Sequence, residues 1–127
     1  MRKTVFIGAL FFIVILAVTA MGATATRRAA VVRFMKPTIV AGAALMGPVV
    51  FEHDDARMAR GEACTKVYRY DAKTQGTGDL IVAFMCKPQD RGRVKEFEAT
   101  LVKTPTGPDR LVEYQFQGET EGHGVPY

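Results

Sequence analysis

Apolar residues after Ala25 fall in short runs that are rich in valine, isoleucine, phenylalanine and tyrosine, and glycine, proline and aspartate interrupt these runs. Short apolar runs bounded by turn residues are typical of β-strands, and no stretch has the spacing of an ordinary amphipathic helix. We expect an all-β domain over residues 26–127, either a small antiparallel sandwich or a barrel, with its core at about 30–117 and a polar tail at 118–127. The pattern predicts about seven strands, at Ala30–Phe34, Thr38–Leu45, Val49–His53, Ala63–Tyr70, Leu80–Lys87, Val94–Lys103 and Arg110–Gln117.

Two turns follow from the same pattern in the first half of the domain. Pro37 is expected to end the first strand, because proline cannot donate a ladder hydrogen bond. Met46, Gly47 and Pro48 are expected to form a tight turn between the second and third strands.

The last two predicted strands can be paired by register. Antiparallel pairing that places Phe97 opposite Phe116 also places Ala99 opposite Tyr114. One face of the hairpin is then apolar and the other mostly polar, as a half-buried antiparallel sheet requires.

The first residues of the chain predict export. A basic start, Met1 to Lys3, precedes the uncharged run Thr4–Ala20, and Ala23-Thr24-Ala25 follows as a small-residue cleavage pattern. This order is typical of a secretory signal peptide, here a signal helix over residues 1–25. An uncleaved anchor helix is the alternative. We therefore expect a periplasmic or extracellular protein, anchored in the inner membrane if the segment is retained.

The two cysteines are predicted to form a disulfide. A register that pairs Tyr68 with Val82 also places Cys64 opposite Cys86. Opposed residues have Cα atoms about 4.5–5.5 Å apart, within the range that a disulfide spans. Disulfides form in the oxidising environment that exported proteins enter, and a small domain gains stability from such a cross-link.

The charge distribution disfavours nucleic acid as a partner. The formal net charge is +4, but residues 27–51 hold four basic and no acidic groups, whereas residues 52–127 carry a net charge of −2. A nucleic-acid-binding domain usually has clustered basic residues with aromatic residues between them. We expect an unknown protein or envelope partner instead, and contact with the membrane only if residues 1–25 are retained.

A metal site is the alternative function. His53, Met58 and Cys64 are the first candidates, with copper or zinc as the ion, because histidine, methionine and cysteine are ligands for such metals. Further potential ligands are Asp54, Asp55, Met85, Cys86 and His123. The spacing argues against the site, since the chain has no C-x-x-C or H-x-x-x-H pattern.

The segment His53–Glu62, HDDARMARGE, has two interpretations. Arg57 and Arg60 could bind an anion. The simpler interpretation is a single helical turn, capped by Asp54 or Asp55 and ended by Gly61, with both arginines paired to nearby acids.

No pattern of catalytic residues is present. The chain has no serine and therefore no G-x-S-x-G elbow, and a disulfide would remove the thiolate that cysteine catalysis needs. We expect no enzymatic activity and no cofactor. The favoured function is that of an exported non-catalytic β-domain, a binding protein or cell-envelope component of unknown ligand.

The stretch Val31–Thr65 resembles small exported bacterial β-proteins of no assigned function. The resemblance rests on an F-x-x-P-x-x-V-A-G-x-x-L-x-G pattern, carried by Phe34, Pro37, Val40, Ala41, Gly42, Leu45 and Gly47. Gly47-Pro48-Val49 stands where those proteins have a glycine and an aromatic residue two positions on. The resemblance implies a compact extracytoplasmic β-domain and assigns no functional residue.

Overall fold

The fold is all-β, as predicted. We describe it from a computed structural model, which covers residues 26–127. One short helix, α1 (Asp55–Ala59), accompanies eight strands: β1 (Arg27–Val40), β2 (Ala43–Asp54), β3 (Thr65–Asp71), β4 (Gly76–Phe84), β5 (Lys87–Asp90), β6 (Glu98–Val102), β7 (Asp109–Gln115) and β8 (Glu121–Gly124). The predicted signal peptide or anchor, residues 1–25, lies outside the described residues. Within residues 26–127, no helix has the length and apolar character needed to cross a membrane.

The strands form one sheet that curls into a half-barrel. The order along the sheet is β4-β3-β2-β1-β7-β8-β5, and β6 pairs with β7 outside this path. The sheet is mixed, because β1 and β7 run parallel where Thr38 and Ile39 pair with Asp109 and Arg110. The tail, which the sequence pattern places outside the core, supplies β8, and this strand pairs with both β5 and β7.

The β1–β2 hairpin turns at a different place from the one predicted. Its turn is Ala41-Gly42, where both residues have positive φ angles of 48° and 85°. This left-handed conformation suits a two-residue hairpin turn, and glycine adopts it without steric cost. Pro37 does not end β1 but lies where the register shifts between Phe34 and Thr38. The predicted turn at Met46–Pro48 is wrong, since β2 runs through it.

The predicted register of β6 and β7 is confirmed over its first half. Glu98, Ala99 and Thr100 pair with Gln115, Tyr114 and Glu113. A register shift after Thr100 then pairs Leu101 with Leu111. Leu111 is consequently buried, whereas Val112 is only half-buried.

The predicted disulfide between Cys64 and Cys86 is wrong. Their Sγ atoms lie 2.7 Å apart, whereas a disulfide bond measures about 2.05 Å, and both cysteines are free. The reason is the register of β3 and β4, in which Thr65 pairs with Phe84. Continued past the strand ends, this pairing brings Cys64 opposite Met85 and not opposite Cys86. Two further register shifts within this strand pair also separate it from the regular pairing that we predicted.

Aromatic residues fill the inside of the half-barrel. Phe51 on β2 lies 5.1 Å from Tyr114 on β7, measured between ring centroids, although β1 separates these strands in the sheet. Phe97 and Phe116 complete the group, with their ring centroids 5.5 Å apart. The curl of the sheet therefore brings residues of non-adjacent strands into contact, and the candidate site forms in the same way.

Candidate metal centre

His53, Cys86 and His123 converge inside the half-barrel. One potential ligand atom of each residue lies within 4.8 Å of the other two, and all three residues are buried. The Cys86 Sγ atom is 3.3 Å from His53 Nε2 and 3.6 Å from His123 Nδ1. A thiol and two imidazole nitrogens in this arrangement form a ligand set for a transition metal.

The curvature of the sheet creates the cluster. His53 lies near the end of β2, Cys86 lies between β4 and β5, and His123 lies in β8. β2 and β8 are not neighbours in the sheet, yet the two imidazole centroids are 4.2 Å apart. The Tyr114 ring stacks on His123 at 4.9 Å and restricts the plane of that imidazole. Packing against Tyr114 therefore holds the His123 side chain in place.

Each imidazole has its second nitrogen directed at a carboxylate. His53 Nδ1 lies 3.2 Å from an oxygen of Asp55. His123 Nε2 lies 3.8 Å from Oε1 of Glu119, and the side chain of Glu119 is only 11% exposed. Metal-binding histidines usually have a carboxylate or carbonyl group at the nitrogen that does not face the metal. The surroundings of both rings therefore match those of metal ligands.

Met58 adds a thioether at the edge of the cluster. Its Sδ atom lies 3.9 Å from Cys86 Sγ. Met58 belongs to α1, whose N-cap is Asp54, because the Asp54 carboxylate accepts hydrogen bonds from the backbone N–H groups of Ala56 and Arg57. This cap stabilises the single turn that carries Met58.

Cys64 lies behind Cys86, away from the imidazoles. The backbone N–H of Cys86 donates a hydrogen bond of 3.1 Å to Cys64 Sγ. Cys64 is also buried, and it is not part of the group formed by the two histidines and Cys86. Its contacts are those of a residue that holds Cys86 in place.

The buried groups are neutral at neutral pH. Burial lowers the pKa of His53, and burial together with the neighbouring His53 lowers the pKa of His123 to about 4. Burial, and then Cys64, raise the pKa of Cys86 to about 12. Both imidazoles therefore have a free lone pair at neutral pH, whereas Cys86 must lose a proton to bind a metal.

Two of the three predicted metal ligands lie in the cluster, and the third does not. His53 and Met58 lie in the cluster, and Cys86 occupies the place next to the imidazoles that we expected of Cys64. The sequence indicates His123 only as a further ligand, because this residue lies in the polar tail. Its position in the alternating stretch Glu121–Val125 is the available signal, since alternation predicts a strand with a buried face.

Arg57 and Arg60 are engaged in local ion pairs. Arg60 pairs with Glu62, and Arg57 lies 3.9 Å from both Asp54 and Glu62. Gly61, with a φ of 71°, follows the helix. The predicted capped turn is confirmed, and its acids supply the partners of both arginines.

Comparison of the chain with protein-family models, with curated proteins and with solved structures gives no match.

Proposed function

We propose that this chain is an extracytoplasmic copper-binding protein. His53, Cys86 and His123 would bind one ion, with Met58 as a weaker fourth ligand. The observation that supports this most strongly is the arrangement of the two imidazoles, each with one nitrogen near Cys86 Sγ and the other near a carboxylate.

The cost of burying these groups supports a binding role. Imidazole and thiol groups lose hydration when they are buried, and this loss destabilises the fold unless partners replace the water. In residues 26–127, Glu119 Oε1 and His123 Nε2 are the buried side-chain polar atoms without a hydrogen-bond partner. A metal ion at Nδ1 would leave Nε2 as the nitrogen that carries the proton, opposite the Glu119 oxygen that also lacks a partner.

The ligand types favour copper. Thiolate and thioether sulfur atoms are soft donors that select copper, and two histidines, one cysteine and a distant methionine are the ligands of blue-copper sites. The separation of 3.9 Å between Met58 Sδ and Cys86 Sγ brings a thioether next to the thiol, where it is within reach of an ion bound there. Zinc sites are built from cysteine, histidine and carboxylate ligands, so Met58 distinguishes the two metals.

Cys64 supports zinc as a second candidate. Its Sγ atom lies 2.7 Å from Cys86 Sγ but outside the group formed with the two imidazoles, so a closed tetrahedral set of two sulfur and two nitrogen ligands would require the Cys64 side chain to move towards them. Replacement of Cys64 would then abolish binding, whereas in the copper site it would not.

The test is an anaerobic titration of the reduced protein with Cu(I) against a competing chelator. Cu(I) is used because two Cu(II) ions would take one electron each from the paired thiols, giving one disulfide, two protons and two Cu(I) ions. We expect one copper ion per chain, retention of binding in Cys64→Ser and loss of binding in Cys86→Ser. Equal binding by both variants, or no binding by the wild-type chain, would refute the copper site.

The extracytoplasmic location rests on residues 1–25 and needs its own test. The apolar run Thr4–Ala20 and the tripeptide Ala23–Ala25 support export and cleavage. Intact mass of the protein from fractionated cells should show a chain that begins at Thr26 outside the cytoplasm. A full-length chain in the cytosolic fraction would contradict this part of the proposal.

A further inference from the structure

Glu119 is the part-buried acid that faces the second nitrogen of His123. It lies in the turn between β7 and β8, next to Gly118, which has a φ of 79°. Its Oε2 atom pairs with Arg28 at 2.8 Å, and its backbone carbonyl accepts a hydrogen bond of 2.7 Å from Gln115. The Gln115 hydrogen bond fixes the backbone of Glu119, and the Arg28 pair fixes its carboxylate, which leaves Oε1 directed towards the ring.

The unsatisfied atoms of this pair face each other. Glu119 Oε1 and His123 Nε2 are separated by 3.8 Å, slightly beyond hydrogen-bonding distance, and neither has another partner within residues 26–127. A neutral imidazole carries its proton on one nitrogen and a lone pair on the other. An acceptor at Nε2 favours the proton there and leaves the lone pair on Nδ1, 3.6 Å from Cys86 Sγ.

Glu121 would act on His123 in the opposite sense. Its Oε1 atom lies 3.7 Å from Nδ1, so an acceptor there would favour the proton on the nitrogen that faces Cys86. The side chain of Glu121 is 39% exposed, whereas that of Glu119 is 11% exposed and paired with Arg28. An acceptor that is better shielded from water and anchored by an arginine interacts more strongly with the ring than a more exposed one does.

We propose that Glu119, anchored by Arg28, is a positioning residue that keeps the His123 proton on Nε2 and presents Nδ1 to copper. This inference rests on the proposed copper site for its function, although the tautomer itself is a property of the metal-free chain. The alternative is that Glu119 has only a structural role. It would then merely link the β7–β8 turn to β1 through its pair with Arg28.

The tautomer is measured first, on the wild-type metal-free protein, by long-range ¹H–¹⁵N NMR correlation of the imidazole nitrogens. We expect His123 to carry its proton on Nε2. A proton mainly on Nδ1 would overturn the inference, whether or not the protein binds copper. Failure of the inference is thus distinguishable from failure of the proposed function.

The second measurement compares Glu119→Gln with the matched control Glu121→Gln. In Glu119→Gln, the side-chain amide can still accept a hydrogen bond from Arg28 while it presents an N–H group to Nε2, which favours the wrong tautomer. We expect Glu119→Gln to lower the Cu(I) affinity about 10- to 100-fold and to move the proton to Nδ1, and Glu121→Gln to leave the proton on Nε2. Equal effects of the two substitutions, or a loss of stability without a change of tautomer, would overturn the positioning role.

Discussion

The burial of His123 predicts a specific loss of stability in acid. The His123 side chain is fully buried, and its pKa is lowered from 6.5 to about 4. The unfolded chain therefore binds a proton more readily than the folded chain between these values. The contribution of His123 to stability is complete above about pH 6.5 and is lost as the pH falls towards about 4.

The magnitude follows from the difference between the two pKa values. Between about pH 7.5 and about pH 4.5, His123 alone accounts for a loss of about 2.5 kcal/mol in the free energy of unfolding. His53, whose pKa is also lowered by burial, acts in the same direction. In a domain of this size, such a loss is a large fraction of the total stability.

Urea unfolding of the metal-free protein at both pH values measures this loss. His123→Phe is the matched variant, because it keeps an aromatic ring against Tyr114 but cannot be protonated. Acidification should destabilise the wild-type protein by about 2.5 kcal/mol more than the variant, since the other titrating groups are common to both. Equal losses would refute the conclusion that His123 is buried in its neutral form.

Three further substitutions test the packing around the site. Tyr114→Phe should lower the free energy of unfolding in urea by about 1–3 kcal/mol, because Thr65 Oγ1 loses its buried hydrogen-bond partner. Addition of Thr65→Val should restore most of this loss, and additive losses from the two substitutions would contradict the hydrogen bond. Gly122→Ala should cost at most about 1 kcal/mol, because the new Cβ would lie 2.6 Å from Oε2 of Glu113, the end of a flexible side chain that can shift and weaken its pair with Arg91; a much larger loss would contradict this. Asp54→Ala should cost about 1 kcal/mol and weaken Cu(I) binding by loosening the turn that carries Met58; undiminished stability would contradict the capping role.

The local features of the fold could be predicted from the sequence. The capped turn at Asp54–Gly61 depends on side chains within a few residues of each other, and such contacts are visible in a sequence. The pairing of Ala99 with Tyr114 was predictable because the alternation of apolar and polar residues in both strands selects one register, although β6 itself is exposed.

Register shifts and curvature could not be predicted in this way. Shifts beside Tyr68 leave the apolar pattern of β3 intact but change its partners on β4. The predicted opposition of Cys64 and Cys86 fails because Thr65 pairs with Phe84, one residue away from the predicted register. The ligands His53, Cys86 and His123 lie far apart in the chain. Their meeting depends on the curl of the sheet, which no short spacing pattern encodes.

X-ray absorption at the copper edge tests the central claim most directly. With reduced wild-type protein and one equivalent of Cu(I), we predict a first shell that contains imidazole nitrogen and thiolate sulfur. Cys86→Ser should lose this shell together with the bound copper, whereas Cys64→Ser should leave the shell unchanged. A shell without sulfur in the wild-type protein, or one that is unaffected by Cys86→Ser, would contradict the assignment of His53, Cys86 and His123 as copper ligands.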